Sequence, residues 1–115
     1  IHFRLGLSHR LHSKLQSMRS GAPQPAKRPA AKVIIDTKAS DNYTVIEVYA
    51  ENRTGLLYDI TRTLSDFGIN TFRAKIGTKG DQIVDVFYVL DHRGIKIEDE
   101  IFQQEIRNGL LHAAA

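Results

Sequence analysis

The residues Glu47-Val48-Tyr49-Ala50-Glu51-Asn52-Arg53-Thr54-Gly55-Leu56-Leu57 decide the fold. Up to Glu51 polar and apolar side chains alternate, the period of a half-buried strand. A polar turn with one glycine follows, and a helical pattern opens at once. Leu56, Leu57, Ile60, Leu64 and Phe67 fall three and four residues apart and form one apolar stripe. A strand that turns through glycine into a helix presents unpaired backbone N–H groups and the positive end of the helix dipole. That suits the carboxylate or phosphate of a small ligand. A plain strand-to-helix connection, in which Gly55 only eases the turn, fits the same residues.

Downstream, Gly68 is placed to stop this helix. Ile69–Gly77 reads as a strand with Phe72, Ala74 and Ile76 on one side and Arg73 and Lys75 on the other. Thr78-Lys79-Gly80-Asp81 makes a tight turn into a strand over Gln82–Leu90, where Val84, Val86 and Tyr88 share a face. A last helix, about Glu98 to Leu111, would bury Ile101, Phe102, Ile106 and Leu110. Upstream, Val33-Ile34-Ile35-Asp36 reads as a short strand, joined by the polar turn 37–42 to a strand over Tyr43–Glu51.

From residue 43 the order is strand, helix, strand, strand, helix: a ferredoxin-like split βαβ without its final strand. Val33–Asp36 can fill that slot as an antiparallel hairpin partner. The fold class is therefore α+β, an antiparallel four-stranded sheet in the order 33–36, 43–51, 82–90, 69–77 with two helices on one face. Val45, Tyr49, Ile83, Phe87 and Val89 are expected on the other, open face, which would invite a partner.

Residues 1–19 read as an amphipathic helix, with Phe3, Leu7, Leu11, Leu15 and Met18 at helical spacing. His9 and His12 lie one turn apart on it, but no carboxylate accompanies them, so a solvated face is the favoured reading over a metal pair. Residues 20–31 hold all three prolines and read as a linker. The chain opens mid-pattern at Ile1 and is expected to be a piece of a longer protein.

The 115 residues, 42% of them hydrophobic, suffice for one small core. No cysteine is present, which excludes disulfides and thiolate metal sites and fits a reducing compartment such as the cytoplasm. The net charge of +3 divides unevenly: residues 1–38 hold eight Lys/Arg against Asp36, whereas residues 39–115 hold eight against twelve acids. The globular part is thus mildly acidic and poorly suited to a phosphate backbone. An RNA-recognition sheet would need a basic, aromatic central strand, and Phe87 has Asp85 beside it on its face. No nucleophile–base pair, metal constellation or phosphate loop appears, and Asp59, Asp66 and Asp85 read as solvated positions.

Taken together, these residues resemble an ACT domain, the small regulatory module that binds amino acids. The similarity rests on four segments in order: 33–36 with Ala39-Ser40, Tyr43-Thr44-Val45-Ile46-Glu47-Val48, Gly55-Leu56-Leu57-Tyr58-Asp59-Ile60-Thr61-Arg62, and Val84-Asp85-Val86-Phe87-Tyr88-Val89. It covers about residues 32–111, which are similar to the ACT domains that end the enzymes uridylylating the PII signal protein. The resemblance implies a glutamine sensor that pairs with a second ACT domain, residues 1–19 being the end of a preceding repeat. It places the chemistry in upstream nucleotidyltransferase and hydrolase domains that use a divalent metal such as Mg, and it makes the PII protein their substrate. It further implies an amino-acid site at Asn52, Arg53, Thr54, Gly55, Leu56 and Leu57. There Gly55 allows close approach, the Leu56 and Leu57 N–H groups hold the carboxylate, and Asn52 meets the ammonium. The usual motif is Asp-Arg-Pro-Gly-Leu-Leu; here Asn52 removes a negative charge and Thr54 removes the rigidity of proline. An ACT-like assembly module without a ligand is the alternative.

Overall fold

The β1–β2 hairpin is closed by its own side chains. The Asp36 carboxylate accepts the N–H groups of Lys38 and Ala39 at 2.8 and 3.0 Å, and the Ser40 hydroxyl accepts those of Asn42 and Tyr43, both at 3.2 Å. Short polar side chains that bond backbone two or three residues on are what make such a stretch turn. In the computed structural model, which describes residues 30–115, the elements are β1 (Lys32–Asp36), β2 (Thr44–Glu51), helix α1 (Leu56–Asp66), β3 (Asn70–Lys79), β4 (Gln82–Leu90) and helix α2 (Glu100–Ala114). The expected helix over 1–19, its histidine pair and nearly all of the linker lie outside the described residues.

All strand pairs are antiparallel, and the sheet order is β1-β2-β4-β3, as the hairpin argument requires. The two helices lie on one face. Ile46, Val48, Phe87 and Val89 pack there against Leu56, Ile60 and Leu64 of α1 and Ile106 and Leu110 of α2. Among the described residues, no helix is long and apolar enough to cross a membrane.

The expected open face needs correcting. Ile46 pairs with Phe87 and Thr44 with Val89, so Phe87 and Val89 point with Ile46 into the core, both fully buried. Ile83, opposite Ala50, packs on the same side. The open face instead carries Val45, Glu47 and Tyr49 with their β4 partners Tyr88, Val86 and Val84. Cross-strand partners share a side of the sheet, and β4 is apolar on both sides, so its own alternation could not tell inside from outside.

Three other expectations shift. A register break between Thr71 and Arg73 takes Phe72 away from Ala74 and Ile76 and sets its ring 5.5 Å from Tyr43. Leu57 is 41% exposed, beside the α1 stripe of Leu56, Ile60 and Leu64. Ile101 is 73% exposed, because five residues rather than three or four separate it from the buried Ile106. The α2 start is set by Asp99, whose carboxylate accepts the Ile101 N–H at 3.0 Å.

The β4–α2 connection is tied to the hairpin. Ile97 N–H donates to the buried Thr44 hydroxyl at 2.8 Å, and the Lys96 ammonium donates to the carbonyls of Thr37 and Ser40 at 2.7 and 2.6 Å. This fixes α2 over β1 and β2 and leaves β3 as an outer strand exposed at every position.

Candidate functional site

The turn from β2 into α1 passes through Gly55, whose φ of +81° lies in the left-handed region. A Cβ built there would meet nothing nearer than the Arg53 Nη1 at 4.0 Å, so within the chain it is φ, not space, that requires glycine. The Leu56 N–H turns back to the Arg53 carbonyl at 3.2 Å. Leu57 and Tyr58 follow with first-turn N–H groups that have no acceptor within the helix. The positive end of α1 is therefore presented at this turn.

Arg53 is half-buried and holds the turn in place. Its Nη1 donates to the Thr54 carbonyl at 3.2 Å and to the Asp59 carboxylate at 3.0 Å, while Nη2 donates to the Ala113 carbonyl at 2.6 Å. That last bond reaches the final turn of α2, where carbonyls lack helical partners and a cation suits the dipole. The Arg53 Nε is buried without a partner among the described residues.

A cavity of about 340 Å³ opens against this turn. Asn52, Arg53, Gly55, Leu56, Leu57 and Tyr58 line one side of it, and Ile76, Ile83 and Asp85 come from the sheet. Five of the six residues singled out in sequence are brought together here; Thr54 is exposed and outside the lining. The volume suits a small metabolite.

Asp85 is the residue that sequence reasoning missed. Expected to be solvated, it is 2% exposed, lies opposite Val48 and Ile76 on the helix-covered face, and has an Oδ1 with no hydrogen-bond partner among the described residues. Burial raises its pKa above the ordinary carboxylate value. The signal was its parity with Ile83, Phe87 and Val89, which puts Asp85 inside once those residues are inside. Asp59 is half-buried and ion-paired with Arg53, and Asp66 is exposed. Among the described residues no group of three or more His, Asp or Glu side chains is placed to hold a metal ion.

Comparison with known proteins adds relatives to this geometry. The family model for an ACR9-like, ACT-like domain matches residues 32–113. Among curated proteins, the chain is 48% identical over 84 residues to a bifunctional uridylyltransferase/uridylyl-removing enzyme of Azospirillum brasilense, covering 73% of this chain and 9% of that protein. It is 46% identical over 80 residues to the enzyme so named in Gluconobacter oxydans, covering 70% and 8%. With that of Novosphingobium aromaticivorans the match extends to 103 residues at 39% identity, covering 80% and 11%. The chain thus spans about a tenth of the length of these relatives.

Proposed function

The chain belongs to the ACT-like domain family, and from that premise we propose that it is the amino-acid-sensing domain of a cytoplasmic PII uridylyltransferase/uridylyl-removing enzyme, with glutamine as its effector. The observation that carries this reading is the cavity at the Asn52–Leu57 turn, where a polar loop, a helix N-terminus and an apolar wall meet. In this reading the ligand carboxylate rests on the N–H groups of Leu57 and Tyr58 at the positive end of α1. Transfer and removal of uridylyl groups on the PII protein, and any Mg they need, belong to other domains of the parent enzyme. This domain reports nitrogen status to them.

Arg53 supplies a route for the signal. It lines the cavity and also holds the last turn of α2, so a ligand that draws on its guanidinium loosens its hold on that helix.

Thermal-shift and calorimetric titration of the chain against the common amino acids tests the reading. A specific binder at 100 times its Kd stabilises the fold by about 2.7 kcal/mol. Glutamine should give heat and stabilisation in the wild type, and neither in Gly55→Val, whose β-branched side chain does not tolerate the left-handed φ of the turn. Should no amino acid do so, the site reading fails. The domain is then an assembly module acting through β3, the strand exposed along its whole length.

A further inference from the structure

We propose that Asp85 receives the cationic group of the molecule that fills the cavity, so that the site selects a zwitterionic amino acid over the corresponding simple acid. The inference rests on the reading of this cavity as an amino-acid site and assigns the residue that reads the amino group. Asp85 lies at the centre of β4, 2% exposed, and lines the cavity with an oxygen that nothing among the described residues satisfies. A buried polar oxygen without a partner weakens the fold, and a structural role would be expected to supply that partner from the chain itself. The cation in the same lining, Arg53, does not supply it: its Nη1 and Nη2 are turned to Thr54, Asp59 and Ala113, and its Nε makes no bond to Asp85. Across the cavity stands the N-terminus of α1, which favours an anion. One cavity with a cation acceptor on the sheet and an anion acceptor on the helix matches a molecule bearing both charges. Asn52, neutral and exposed, offers a hydrogen bond but no charge.

The experiment is calorimetric titration of the 115-residue chain with L-glutamine and with 4-carbamoylbutanoate, the same molecule without its α-amino group. Should another amino acid be the better binder in the thermal screen, it and its deaminated counterpart replace this pair. The wild type should prefer the amino acid by roughly tenfold or more, the worth of the charge-assisted hydrogen bond that the deaminated molecule cannot make. In Asp85→Asn that preference should collapse towards one, through loss of amino-acid affinity, with the circular dichroism of the fold unchanged. Equal affinity of the wild type for the two probes overturns the proposal, even if the variant fails to fold. An undiminished preference in a folded Asp85→Asn also overturns it, while leaving the cavity as an amino-acid site. If the wild type binds no amino acid, this inference and the site reading fall together.

Discussion

Arg53 and Ala113 lie sixty residues apart in sequence and 2.6 Å apart in space, and that bond joins the turn to the end of α2. Arg53→Ala removes the donor from a half-buried helix-terminal carbonyl and the ion pair with Asp59. It should cost about 1–3 kcal/mol in urea denaturation, with Arg53→Lys recovering little because an ammonium cannot serve both sides of the fork. Gly55→Ala forces a Cβ into the left-handed region and should cost about 1–2 kcal/mol by the same measurement, although the site has room for the methyl group. Asp85 and Asp91 should pull stability in opposite directions with pH. Burial raises the Asp85 pKa, so the folded state holds its proton longer than the unfolded one, and stability falls as pH rises from the ordinary carboxylate value through the raised one. Asp91 is also disfavoured by burial, but hydrogen bonds from Ile95 and Arg93 outweigh that and lower its pKa, so its contribution is present at neutral pH and lost in acid. Melting temperatures between about pH 2 and 8 should show Asp85→Asn removing the decline on the neutral side and Asp91→Asn removing the rise on the acid side.

At the scale of elements, α2 shows how one residue of phase separates core from surface. Ile106 and Leu110 are fully buried, and Ile101, an equally apolar residue in the first turn, is not. Ile106→Ala should therefore cost about 2–5 kcal/mol, whereas Ile101→Ala should stay within about 0.5 kcal/mol, a contrast that equilibrium unfolding resolves. The boundaries of α1 were legible because both ends carry a chemical mark: Gly55 before it, and Gly68 after it, whose N–H closes on Ser65. Strand β4 carried no such mark for its faces. Its residues alternate between large apolar side chains on either side, and only the ladder with β2 reveals which set is buried.

The whole molecule leaves one side of its sheet without helices and, among the described residues, two open strand edges, the short β1 and the longer β3. Phe72 and Ile76 on β3 are more than half exposed, and an outer strand with apolar side chains and unpaired backbone groups favours pairing with another chain. The domain should therefore self-associate, or pair with a neighbouring ACT repeat, through this edge. Sedimentation of the wild type from micromolar to near-millimolar concentration should show dimers that the double variant Phe72→Lys/Ile76→Lys dissolves. A strictly monomeric wild type over that range would count against pairing at β3. The open face adds a second surface, on which Lys32 and Lys79 sit over the Tyr49 ring at 4.5 and 5.8 Å and Lys75 over Tyr88 at 5.5 Å.

The order of elements, the hairpin that completes the sheet and the turn at Gly55 were all determined by the sequence alone. Each depends on local periodicity or on a residue with a strong backbone preference, and such signals act over a few positions. Only the tertiary structure decided which face of β4 turns inward, because that choice belongs to strand pairing and both faces are apolar. From that one decision follows the burial of Asp85, and from it the acid in the cavity. The reach of Arg53 to Ala113 was equally illegible, since a hydrogen bond across sixty residues exists only after α2 has packed beside α1.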